Sequence, residues 1–305
     1  MTTAAEPQPA SLPLPGGREG ATVKLHPLLS ATCKAPPAWI HREEGRLAGM
    51  HAFGIRVPRS DWIEIPVVAF LVEHPGFGPL LVDTGFHASV AVDPKQNLGR
   101  LNAAFFKDIR MEQSQAVSHQ LRARGIEPRD VKLVVMTHLH VDHASAISDF
   151  PEATFLVSGA EWEAASEPRG DFRGYVRRQF DHAFDFRLVD FESSDAESFA
   201  GFGRSFDVLG DGSVRILSTP GHTPGHLSVV LRLAGREALI GGDAIYSMRT
   251  LRESVLPHRV ADEHVFRRSL KEIQRYAEAT PSAVIIPGHD LGAWREVEKE
   301  LGTRN

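Results

Sequence analysis

Four short apolar runs in this chain end alike, and that shared ending limits what the chain can fold into. Val131–Met136 leads into Thr137-His138-Leu139-His140-Val141-Asp142-His143, and Val214–Leu217 leads into Thr219-Pro220-Gly221-His222. Ala238–Ile240 leads into Gly241-Gly242-Asp243, and Ala283–Ile286 into Pro287-Gly288-His289. Short runs of Val, Ile and Leu bounded by turn residues read as buried strands. Glycine lets the backbone turn sharply at each end and come close to an ion. A sheet that brings the four ends to one edge gathers five histidines and two aspartates in one place, at the carboxyl side of strands where α/β proteins hold ligands.

Within the first segment, His138 and His140 alternate in an extended chain, point to one side and can share a cation. Asp142 and His143 are adjacent and diverge, which suits a second cation beside the first. The alternative is a solvated loop or a helix start capped by Asp142. Taken singly, His222, Asp243 and His289 are ordinary turn residues; taken with the first cluster, they read as ligands. Cysteine occurs once, as Cys33, so no thiolate cluster can form, and zinc and related ions are then held by imidazole and carboxylate. Two divalent cations are expected, zinc foremost, with Asp243 able to bridge them through its two oxygens. The ligand types leave iron, manganese and cobalt open.

Further strands are expected at Pro66–Val72, Pro79–Val82, Thr154–Val157 and Leu227–Leu233. Helices are expected at Met111–Arg124, at Glu161–Ala165 with Tyr175–Phe180, and at Asp262–Ala279, where Val265, Leu270, Ile273 and Tyr276 recur at near-helical spacing. The chain therefore reads as mixed α/β. Ser193–Arg204 reads as a surface excursion and Asp207–Gly212 as a turn. Residues 1–21, rich in Pro, Gly and Ala, read as a disordered N-terminal tail ahead of a single domain over residues 22–305.

With 305 residues, 42% of them hydrophobic, the chain can bury a large core. A net charge of −5 gives no basic bias toward nucleic acid. The longest strongly apolar run, Val67–Val72, is far short of the roughly 20 residues of a membrane helix. One cysteine allows no intramolecular disulfide, so a reducing, cytoplasmic setting is expected. Cys33 itself reads as a small buried apolar residue.

THLHVDH, TPGH, GGD and PGH, in this order, resemble the metallo-β-lactamase superfamily over about Val67 to His289. The resemblance implies a four-layer αβ/βα sandwich, an α/β fold with metals at one edge of its two sheets. Residues 80–85, LLVDTG, match the family's first motif and place Asp83 beside the ligands. Carried over by position, His138, His140 and His222 would hold one cation, Asp142, His143 and His289 the other, and Asp243 would bridge. Two-zinc β-lactamases of the superfamily carry cysteine where Asp243 stands, which disfavours antibiotic hydrolysis.

A narrower likeness is carried by STPGHTPGHLSV, GGDAIY and IIPGHD, which resemble the N-acyl-homoserine lactone lactonases. It implies that Tyr246 contacts the substrate's carbonyl or ring oxygen; the bland alternative is a packed aromatic with a satisfied hydroxyl. The implied reaction is hydrolysis of a small lactone or ester by a hydroxide shared between the cations, with Asp142 carrying the proton to the departing alkoxide. Phe191–Gly212 and the long N-terminal segment depart from a minimal lactonase and are expected to border the substrate pocket. Phe105 and Phe106 are candidates for an acyl channel or for core packing. His226 is expected to orient a ligand, and the other nine histidines lack partner spacing. Glyoxalase II-like thioester hydrolysis is the rival activity, although its basic cluster is not evident near the carboxyl end. Cations that merely brace the fold are the non-enzymatic rival. The oligomeric state, a homodimer included, is left open.

Overall fold

The computed structural model describes residues 5–182 and 184–302. Its strands are β1 (Gln8–Pro9), β2 (Lys24–Ala35), β3 (Ile63–His74), β4 (Gly78–Val82), β5 (Lys107–Arg110), β6 (Leu133–Val135), β7 (Thr154–Ser158) and β8 (Asp185–Val189). After these come β9 (Glu197–Phe199), β10 (Phe202–Asp207), β11 (Val214–Ser218), β12 (Leu227–Leu233), β13 (Arg236–Gly242) and β14 (Val284–Pro287). The first eight form one sheet in the order β1-β8-β7-β6-β4-β3-β2-β5, and the last six form another, β14-β13-β12-β11-β10-β9. Strands β4, β6, β7, β8 and β1 run parallel, while β4-β3-β2-β5 is antiparallel.

Side-chain alternation explains the layering. Val68, Phe70 and Val72 of β3 meet Ile216, Val229 and Ile240 of the second sheet in one buried core between the sheets. The intervening Ala69 and Leu71 face outward and pack with Val117 and Leu121 of the helix Val117–Ala123. On the far side, Leu217, Val230 and Leu239 pack against Ile273 and Tyr276 of the helix Glu263–Ala279, whose N-cap Asp262 accepts from the Val265 amide. Each sheet is thus covered by helices on its outer face, which gives the αβ/βα order.

Two expectations need correction. The segment taken as a disordered tail is, from Ala5 onward, laid across the molecule; its first four residues lie outside the described residues. β1 pairs with β8, the Ala10 amide donates to Leu188 at 2.8 Å, and the Leu14 amide donates to Val208 at 2.8 Å. Ala10, Leu12 and Leu14 pack on the inter-sheet core, so apolar residues spaced two apart give this Pro-rich segment a face to bury. The stretch Ser193–Arg204 is no loose excursion either. It supplies β9 and the start of β10 at the edge of the second sheet, with Phe202 fully buried.

Among the described residues no helix is long and apolar enough to cross a membrane. Cys33 is buried on β2, and burial pushes its thiol far up, so the thiolate needed for chemistry is suppressed.

Candidate metal centre

The carboxyl ends of β4, β6, β11, β13 and β14 meet at one edge of the sandwich. β4 passes straight into Asp83, β6 into the segment 137–143, β11 into the loop to His222, β13 into Asp243 and β14 into His289. His138 and His140 lie in the extended link after β6, and Val141–Ala144 then turns into a short helix whose first turn contains Asp142. The extended reading holds for the first half; the second half is a helix start, but its N-cap is His140 and Asp142, buried inside the first turn, does not cap it. The glycines are needed where they stand. A Cβ on Gly288 would lie 2.7 Å from Asp243 Oδ1, and one on Gly242, at φ 51°, would lie 2.8 Å from His226 Nε2.

All seven expected ligands converge. His138, His140 and His222 offer one set of ligand atoms within 4.8 Å of one another, and Asp142, His143 and His289 offer another. Asp243 stands between them: Oδ1 is 3.4 Å from His143 Nε2, while Oδ2 is 3.2 Å from both His222 Nε2 and His289 Nε2. Asp142 Oδ2 is 3.7 Å from His143 Nε2 and from His289 Nε2.

The donor chemistry fits a pair of divalent cations. His138 Nε2, His143 Nε2 and Asp243 Oδ1 are buried without a hydrogen-bond partner, and each such atom is costly to bury unless something binds it. His222 Nε2 and His140 Nδ1 face each other at 2.9 Å, nitrogen against nitrogen. Burial holds His138 and His222 well below the usual imidazole range and His140 at about 4, so these three present lone pairs rather than charge. His143 is also disfavoured by burial, but the Asp83, Asp142 and Asp243 carboxylates outweigh that and raise it well above its usual value. His289 is raised likewise, by Asp243 against burial. Burial opposes ionisation of Asp243, yet the surrounding His289 and His222 hold it well below the carboxylate range.

A second ring of groups fixes these ligands. Asp83, itself at φ 59°, accepts from the Thr137 amide at 2.8 Å, the Thr137 hydroxyl at 2.7 Å and His143 Nδ1 at 2.8 Å. His226 is not an eighth ligand. Its Nε2 accepts from the Asp243 amide at 2.9 Å, which leaves the proton on Nδ1 to be donated to Thr219 Oγ1 at 3.0 Å.

A cavity of about 850 Å³ opens onto the centre, with Asp142, His222, Asp243, Tyr246 and His289 in its wall. Much of the remaining lining is apolar and aromatic, Trp39, Phe53, Ile65 and Phe105 among it, with the Trp39 and Phe105 rings 4.3 Å apart, and Lys34, Lys107, Asp171, Arg173 and Arg259 add charge. Phe106 also lines it while packing edge-on to the buried Phe86. Neither the described part of the N-terminal segment nor Phe191–Gly212 contributes to that wall, contrary to expectation. Both lie together along an edge of the sandwich, where Arg18 donates its amide to Asp211. The residues missed from the sequence include those of 33–40 and 171–175 that complete the cavity, Phe53, Trp62 and Arg259 with them, and Glu161, which lies fully buried behind the histidines.

Tyr246 is 5% exposed, and its hydroxyl lies 3.4 Å from His222 Nδ1. Burial, then Asp243 and Asp142, raise its pKa well above the usual phenol value, so the hydroxyl keeps its proton.

Comparison with known proteins agrees with this geometry. The profile of the metallo-beta-lactamase superfamily matches residues 62–289. The N-acyl homoserine lactonase AttM of Rhizobium radiobacter is 35% identical over 241 residues, covering 77% of this chain and 86% of that protein. An N-acyl homoserine lactonase from a Bacillus species is 27% identical over 236 residues, 76% and 84% of the two chains. The solved structure of an N-acyl homoserine lactone hydrolase, with the product N-hexanoyl-L-homoserine bound at its catalytic metal center, superposes with a TM-score of 0.70 at 23% identity. That superposition covers 90% of this chain and 96% of the other, and at such identity it speaks for the fold. On the profile and the AttM match together, the chain belongs to the metallo-beta-lactamase superfamily.

Proposed function

We propose that this protein is a dinuclear metal-dependent hydrolase that opens the ring of N-acyl-homoserine lactones, small signal molecules whose loss quenches quorum sensing. One observation carries the reading: a two-cation donor set opens onto a cavity that also presents a cluster of apolar and aromatic side chains, Trp39, Phe53, Ile65 and Phe105, matching a polar lactone head with an acyl tail. Zinc is the ion we assign, and a cytoplasmic setting is the one we assign to the protein.

When bound, a divalent pair lowers the pKa of water and polarises a carbonyl. The chain's own part is to orient and to move protons. If His222 uses Nε2 as a ligand, its proton sits on Nδ1 and is donated to the Tyr246 oxygen 3.4 Å away. The tyrosine's own hydrogen, which otherwise faces Asp243, can then turn to a lactone oxygen in the cavity and stabilise the negative charge developing there. Asp142, in the cavity wall, takes up the proton released by the attacking water and passes it to the ring oxygen as the carbon–oxygen bond breaks. The product is the open hydroxy acid, with the water's oxygen retained in its carboxylate.

The test is acid release, followed by pH-stat, from C6 to C12 homoserine lactones, simple aliphatic lactones and S-lactoylglutathione. Turnover of the acylated homoserine lactones above the rest supports the reading. A metal-loaded protein that cleaves the thioester and no lactone sinks it.

A further inference from the structure

Glu161 has no part in the chemistry above, yet it is a carboxylate with no exposed surface, 0%, in the first turn of the helix Gly159–Ser166. Burying such a group is costly unless its oxygens are occupied. Two of its partners are backbone amides far apart in sequence. The Leu139 amide donates to Oε1 at 2.9 Å, and the Gly225 amide donates to Oε2 at 3.3 Å. Leu139 sits between His138 and His140; Gly225 follows His222 by three residues. The second loop lies directly on the helix, because a Cβ on Gly225 would fall 2.0 Å from the Glu161 nitrogen.

These two loops carry the whole of one ligand set, His138, His140 and His222; the first also leads on to Asp142 and His143 of the other set, but past the short helix start at Val141. The other set is anchored elsewhere: His143 by Asp83, and His289 by its amide donating to the Tyr246 carbonyl at 2.9 Å. We propose that Glu161 is a positioning residue for one cation of the pair, clamping through the backbone the two loops that supply the three-histidine site and leaving the other site untouched. A carboxylate is required for this because it only accepts. A glutamine there has one acceptor oxygen and sets its NH₂ against the second amide.

The inference rests on the two-cation reading, and the test separates the two. Wild-type protein and Glu161→Gln are stripped of metal, titrated with cadmium and followed by equilibrium dialysis and cadmium NMR. In NMR, a site of three imidazoles is distinguished from one richer in carboxylate. Circular dichroism serves as the check on folding. The expected result is two ions in the wild type, with the variant holding the carboxylate-rich site at unchanged affinity and the three-histidine site about 10- to 100-fold more weakly. Equal weakening of both sites, or none, overturns the clamp while leaving the cation pair intact. A wild type that takes up no pair overturns both readings. Should Glu161→Gln fail to fold, Glu161→Asp, too short to reach both amides, is judged by the same criterion.

Discussion

Replacing Tyr246 with Phe removes one oxygen and leaves the ring where it packs, beside Ile65 and Val141 in a buried cluster. The ground state loses little at the His222 side, because the contact of the hydroxyl with His222, at 3.4 Å, is long. The loss falls on the transition state, where a donor to a developing oxyanion disappears from a buried site. A hydrogen bond to a charged partner is worth about 2 kcal/mol, and at about 1.4 kcal/mol per factor of ten this is roughly a 30-fold fall in kcat. Metal content is expected to stay at two ions per chain and the melting temperature to stay within about 2 °C of wild type. Steady-state kinetics on hexanoyl-homoserine lactone, with metal analysis of the same sample, reads all three quantities. A KM increase with kcat unchanged assigns the hydroxyl to uniform binding instead, and wild-type kcat with wild-type KM refutes any part for it in the reaction.

Asp243→Ala takes the shared carboxylate from between the two ligand sets, and both ions should be lost to chelator at concentrations the wild type resists. The wild type's thermal stabilisation by metal, on the order of 4 kcal/mol when the ion is a thousandfold above its dissociation constant, should vanish with them in calorimetry; a variant that retains two ions argues against bridging. Away from the centre, His87 Nε2 and Asp149 Oδ1 form a pair at 3.2 Å. The hydrogen bond to Asp149 raises His87, and although burial works against Asp149, its bonds from His87 and Ser118 lower it. The raised imidazole contributes stability fully below its ordinary value of 6.5 and loses it as pH climbs through the folded value; the lowered carboxylate contributes above its ordinary 3.8 and loses it as pH falls through the folded value. The pair therefore acts in full between those two values. With both groups partly exposed, about 1 kcal/mol is at stake, and His87→Gln should flatten the fall in melting temperature between about pH 6 and pH 8; an unchanged slope would locate that fall in other groups.

Much of the candidate centre was legible because its expected ligands sit beyond strand ends and announce themselves by residue type: imidazoles and carboxylates, three of them after glycine turns. Glu161 was not, since its partners are peptide amides, which every residue has, and GAEWEAAS looks like any short surface helix. Strand β2 was also missed. It runs for twelve residues but is half-buried, with Lys24, His26, Thr32 and Lys34 interleaved and a register shift between Leu29 and Ala31, so neither clean alternation nor a solid apolar block marks it. The helix expected over Met111–Arg124 shrinks to Val117–Ala123, preceded by a turn of 3₁₀-helix at Gln113–Gln115. The helix Pro94–Phe105, broken at Gly99, and the helix Leu291–Gly302 went unread. Phe105 and Phe106 follow from that same segment, and their placement in the cavity wall depended on where the first of these two helices ends.

The strap formed by the opening residues has a mechanical consequence. It is hydrogen-bonded to Leu188 on one sheet and to Val208, just beyond β10, on the other. A chain so fastened acts as a stitch across the open side of the sandwich, and the layers cannot separate there without first unpicking it. It also covers the outer rim of β8 at Arg187 and Leu188 and makes the border strand two residues long with a proline in it, a short edge that offers a stranger's strand little to zip with.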